Sequence, residues 1–86
     1  MQFVRTERFK RAYRKLPQAE QELVKKALHQ LATDRAHPGL RVKRMQGTDS
    51  ILEMRAGRDI RITFEIIDDA YLLRNVGHYD ATVRQS

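Results

Sequence analysis

Between Ile60 and Ile67 the apolar residues Ile60, Ile62, Phe64 and Ile66 alternate with Arg61, Thr63 and Glu65. A strand sends successive side chains to opposite faces, so one face of this segment builds core and the other presents Arg61. Leu40 to Met45 reads as a basic strand, with Leu40 and Val42 on one side and Arg41 and Lys43 on the other. Ile51 to Ala56 and Tyr71 to Val76 read as two more. Gly47-Thr48-Asp49-Ser50, Gly57-Arg58-Asp59 and Asp68-Asp69 supply the turns between them. At the other end of the chain, Gln2 to Thr6 predicts a short strand around Phe3 and Val4.

The apolar period then changes. Phe9, Ala12, Tyr13 and Leu16 recur at i, i+3, i+4 and i+7, one face of a helix. Thr6 suits its N-cap, and Glu7 places an anion in the first turn, where the helix dipole favours one. Pro17 ends this helix and can open the next, because the N–H that proline lacks would be unpaired there anyway. Ala19, Leu23, Val24, Ala27, Leu28, Leu31 and Ala32 form a single stripe on the second helix, which His37-Pro38-Gly39 terminates.

These elements predict an α+β two-layer sandwich: an N-terminal strand and a helical hairpin, then a four-strand antiparallel meander, in the order β-α-α-β-β-β-β. Each helix has one apolar stripe, so both should cover one sheet face and leave the other open. The 86 residues fit one domain, 1–86. No element is predicted from Gly77 onward, and about 79–86 is set apart as a tail.

Composition narrows the function. Lys plus Arg number 17 against 11 for Asp plus Glu, a formal charge of +6, which favours a polyanionic partner such as nucleic acid or an acidic protein. There is no cysteine, so no disulfide or thiolate site exists, in keeping with a reducing cytoplasm. Neither an export signal nor a membrane span is readable, and no metal or cofactor site is expected. His29 and His37 lack partners at metal-ligand spacing and read as structural.

On the open face the pattern places Glu53, Arg55 and Arg61, with His78 a further candidate for that face and Tyr79 beside it. Cleaving RNA without metal needs a base for the ribose 2′-OH proton, an acid for the leaving 5′ oxygen, and fixed positive charge around the phosphate. Glu53 or His78 suits the base, His78 the acid, and Arg61 with Arg55 the charge, while Tyr79 suits stacking on an unpaired base. Glu53 and Arg55 equally fit cross-strand ion pairs with Arg61 and Glu65, each worth about 0.2–1 kcal/mol. Lys10, Arg11, Arg14, Lys15, Lys25 and Lys26 on the helices, and Arg41, Lys43, Arg44 and Arg58 among the strands, are candidates for phosphate contact.

The Leu16-Pro17 helix break, the segment ILEMRAGRDIRITFEIIDD and the Asn75-Val76-Gly77-His78-Tyr79-Asp80 ending resemble the RelE/ParE superfamily of bacterial toxins. That resemblance spans nearly the whole chain. It implies the toxin of a type II toxin–antitoxin pair, acting on the ribosome as an endoribonuclease that cuts messenger RNA in the A site, with a cognate antitoxin as partner. It further implies that Arg61 steadies the phosphate and that His78 and Tyr79 match a His-Tyr pair of one branch. The lysines that some ribosome-dependent members carry on the strand matching Leu52 to Arg55 are missing, as is their tyrosine near Thr82 and Val83. The alternative implied by the same superfamily is a non-enzymatic ParE-like inhibitor of DNA gyrase.

Overall fold

The protein is described by a computed structural model covering residues 2–79 and 82. Its elements are β1 (Gln2–Arg5), α1 (Glu7–Arg14), α2 (Gln18–Thr33), a 3₁₀ turn (Pro38–Leu40), β2 (Lys43–Arg44), β3 (Leu52–Arg55), β4 (Ile60–Ile67) and β5 (Ala70–His78). They form one five-stranded sheet in the order β1-β5-β4-β3-β2. The meander from β2 to β5 is antiparallel, as expected, and β1 adds to its far edge parallel to β5, making the sheet mixed.

Both helices pack on one face. Phe9 from α1, Leu16 just beyond its end, and Val24, Leu28 and Leu31 from α2 meet Ile60, Ile62, Phe64 and Leu73 in a single core. The α2 stripe is narrower than its sequence suggests, because Ala19, Leu23 and Ala32 lie on its exposed flanks. Leu23 instead reaches the β3–β4 hairpin, where a Cβ on Gly57 would come within 2.9 Å of its Cδ1.

Thr6 joins the two layers. Its Oγ1 accepts from the Phe9 N–H at 3.1 Å, capping α1, and its hydroxyl lies 2.9 Å from the Leu73 carbonyl oxygen of β5. An N-cap is worth about 1 kcal/mol and a hydrogen bond roughly another 1. Thr6→Ala should therefore lower unfolding free energy by about 1–2 kcal/mol in urea titration, and Thr6→Ser should recover most of it. The α1 end is closed from its successor, since the Gln21 side-chain amide donates to the Tyr13 carbonyl at 3.0 Å.

Two elements depart from the sequence reading. The strand expected over Leu40 to Met45 is reduced to Lys43–Arg44, because the Pro38–Leu40 turn buries Leu40 and Arg41 then takes left-handed backbone at φ 49°, ψ 49°. Extended pairing cannot pass through that conformation. Conversely, β5 continues past Val76 to His78, and the Tyr79 N–H still donates to the Asp59 carbonyl at 2.8 Å.

Candidate anion-binding cleft

The second sheet face carries the candidate site. Antiparallel pairing sets Glu53 opposite Thr63 and Arg55 directly opposite Arg61, with Gly77 on the other side of Arg61 and Asn75 on the other side of Thr63. Direct cross-strand neighbours share a face. Arg61 is thus on the side away from the helices, as the alternation predicted.

Both guanidinium groups are held by the hairpin that joins their strands. Arg55 Nε donates to the Gly57 carbonyl at 3.2 Å, and Arg61 Nη1 donates to the carbonyls of Arg58 at 3.2 Å and Ile60 at 3.1 Å. The Tyr79 ring lies against Arg61, with 4.9 Å from guanidinium carbon to ring centroid, a cation–π distance. Arg41, Lys43, Glu53, Arg55, Arg61 and Tyr79 line one cleft of about 220 Å³. Four cations face one carboxylate there.

The ion pairs expected between Glu53 or Arg55 and Arg61 or Glu65 are replaced by others. Glu53, only 5 % exposed, lies 3.3 Å from Lys43 Nζ on the neighbouring strand. Glu65 pairs with Arg74 at 2.9 Å and accepts from Ser50 at 2.8 Å. Arg55 and Arg61 are left facing each other with backbone carbonyls as their hydrogen-bond acceptors.

His78 requires a correction. It pairs with core residue Ile60, which turns its imidazole to the helical face, where Nε2 lies 3.1 Å from Glu20 Oε2. It does not share the face of Arg61, so the acid and base roles considered for it lack the needed placement. The face itself is less open than expected. Thr63 is 0 % exposed, Asn75 is buried, and Thr82, 1 % exposed, packs where a Cβ on Gly77 would come within 2.8 Å of its Oγ1. Thr82 therefore covers the sheet beside Arg61. The buried polar side chains at Thr63, Asn75 and Thr82 were not singled out from sequence; a threonine and an asparagine midway along apolar strands were the available signal.

The remaining basic candidates divide between two regions. Lys43 and Arg44 border the Glu53 end of the cleft with Tyr79, and Arg58 contributes its carbonyl to Arg61. Lys10, Arg14 and Lys25 instead rim a groove of about 290 Å³ between the helices, floored by Phe9, Tyr13 and Leu28. Arg11 and Lys15 are exposed on the helical layer. Lys26 lies nearer the hairpin, lining a hollow that includes Arg55 and Gly57. His37 Nδ1 accepts from the Gly39 N–H, in keeping with a structural role. Among the described residues no cluster of three or more His, Cys, Asp or Glu side chains is arranged to hold a metal ion.

Known structures share this architecture. YafQ from E. coli strain BL21(DE3) superposes with a TM-score of 0.78 at 9 % identity, covering 93 % of this chain and 94 % of that one. A chain of the RelB–RelE antitoxin–toxin complex from Methanococcus jannaschii gives 0.75 at 17 % identity, covering 94 % and 95 %. The chain has the RelE-like fold. The isolated E. coli RelE toxin matches at 0.69 and 18 % identity, over 98 % of this chain and 96 % of that one. By sequence, no protein-family model and no curated protein matches. The RelE-like fold is thus retained while most of its side chains differ, which makes the cleft's own residues the basis for function. Among the described residues, no helix is long and apolar enough to cross a membrane.

Proposed function

We propose that this protein is the toxin of a type II toxin–antitoxin pair, a cytoplasmic endoribonuclease that cuts messenger RNA in the ribosomal A site. The observation that carries this reading is the facing pair Arg55 and Arg61. Like charges directly opposite each other on a sheet are destabilising. Two guanidinium forks fixed by backbone carbonyls make sense if an anion comes between or beside them, and a phosphodiester supplies it. The structural neighbours include toxins and toxin–antitoxin complexes, which supports the toxin role and an antitoxin partner.

In the proposed reaction Glu53 takes the ribose 2′-OH proton, the 2′-oxygen attacks its neighbouring phosphorus, the bond to the 5′ oxygen breaks, and that oxygen takes a proton from water, giving a 2′,3′-cyclic phosphate and a 5′-hydroxyl. Arg61 and Arg55 stabilise the charge gathered on the phosphoryl oxygens. Glu53 is the carboxylate within the cleft and takes the base role; its Oε1 lies 3.3 Å from Lys43 Nζ on the neighbouring strand. Tyr79 carries an exposed ring beside Arg61 on which an unpaired base can stack.

Purified protein added to a translating extract should generate transcript ends at A-site codons. Inhibition of supercoiling by purified DNA gyrase, with transcripts intact, would instead establish the ParE-like alternative. Binding to single-stranded RNA should also be salt-dependent. Phosphate contacts from Arg41, Arg55 and Arg61 predict a slope of log K against log salt of about −2, and Arg41→Ala should flatten it by roughly 0.7. An unchanged slope in that variant would remove Arg41 from the interface.

A further inference from the structure

The end of β5 is held from both sides of the sheet. Gly77 faces Arg61, His78 faces the helices, and Tyr79 returns to Arg61. The partner of His78 is Glu20, in the first turn of α2, a helix anchored in the core by Val24, Ala27, Leu28 and Leu31. Glu20 is 27 % exposed at its side chain against 61 % for His78. Its second oxygen, Oε1, is enclosed and has no hydrogen-bond partner among the described residues. A carboxylate oxygen accepts hydrogen bonds, so the contact is made by the His78 tautomer that carries its proton on Nε2, donating to Oε2. The contact joins residues 58 positions apart and ends one residue before the ring that lies on Arg61.

We propose that Glu20 and His78 form a latch that sets Tyr79 over Arg61 from the opposite side of the sheet. They are positioning residues. His78 is the last residue of β5, so fixing its side chain fixes the backbone from which Tyr79 departs, and the Tyr79 N–H is itself held by the Asp59 carbonyl. The latch therefore fixes where a base would stack relative to the guanidinium that receives its phosphate. This consequence for RNA rests on the function proposed above, whereas the geometry itself does not.

The test reads geometry and activity separately. Tyr79 should shift the Arg61 side-chain proton resonances by its ring current, with Tyr79→Ala giving the unshifted reference. Glu20→Ala and His78→Ala should each move those resonances most of the way to that reference while unfolding stays cooperative. Each should slow single-turnover transcript cleavage about 10-fold, as a modest displacement of a positioning group does. The double variant should be no slower than either single one. His78→Gln keeps an N–H aimed at Glu20 but transfers no proton, and it should restore both readouts.

Arg61 resonances unmoved in Glu20→Ala and His78→Ala would overturn the latch, whatever happens to cleavage. Native resonances with lost cleavage in His78→Gln would overturn it too, showing a proton-transfer role instead. If the parent protein cleaves no transcript, the function proposed above fails while the resonances still decide the latch.

Discussion

Replacing Arg61 by alanine is expected to slow A-site transcript cleavage roughly 10²- to 10³-fold, the usual effect of deleting one preorganised donor to developing charge. Stability should barely change. The substitution removes a like-charge neighbour from Arg55, which favours the folded state, and removes the contact with Tyr79, which disfavours it; each effect is at most about 1 kcal/mol. Arg61 is only half-buried, and its hydrogen bonds go to carbonyls at the hairpin end that water can reach. Arg61→Lys should recover little of the rate, because an ammonium is a point charge without the planar fork that grips two phosphoryl oxygens. A rate for Arg61→Ala equal to the parent's, with urea unfolding also unchanged, would place the catalytic phosphate elsewhere. The variant removes the charge and the partner of the Tyr79 ring together, whereas Glu20→Ala keeps Arg61 and changes positioning alone.

What could be read in advance follows the range of the interactions involved. Alternation in Ile60 to Ile67 fixes which residues face the helices, and it placed Arg61 on the correct face without knowledge of any partner strand. The Thr6 cap and the Pro17 break are likewise local; the cap occurs as predicted, while α1 already ends at Arg14 and Pro17 stands as the N-cap of α2 rather than in its first turn. The position of His78 depended on something non-local. Register between β4 and β5 shifts at Thr63/Phe64, where pairing steps from Asn75 to Leu73 and leaves Arg74 bulged. One inserted residue exchanges the faces of everything beyond it. Counting alternation back from the apolar Tyr71 and Leu73 would put Val76 on the wrong side, yet Val76 is buried opposite Ile62. The left-handed backbone at Arg41 was equally hidden, since that conformation is uncommon for a residue with a Cβ and nothing in its neighbours requires it. It shortens the strand and carries Arg41 into the cleft. The facing of Arg55 and Arg61 emerges only from the strand register, although the tight hairpin at Gly57-Arg58-Asp59 made their adjacency foreseeable.

Phe64→Ala should produce the largest loss of stability, about 3–5 kcal/mol. Phe64 is fully enclosed, three positions along β4 from Arg61, and meets the Tyr71 ring edge-on at a centroid distance of 5.7 Å and an angle of 78°. Truncation removes its buried area and that aromatic contact together, and leaves a space next to the bulge. A close-packed sheet–helix interface closes such a space only partly. An 86-residue chain has a total stability on the order of 4–13 kcal/mol, so the variant should have a sharply reduced urea midpoint and a detectable unfolded fraction near body temperature. Phe64→Leu keeps most of the volume and should cost about 1.5 kcal/mol or less. Activity should fall in Phe64→Ala in proportion to the unfolded fraction and return on cooling, a dependence that Arg61→Ala should not show. A Phe64→Ala protein as stable as the parent would mean that this ring does not seal the core, and the packing between α2 and β4 would then have to differ from the arrangement in which Arg61 faces away from the helices.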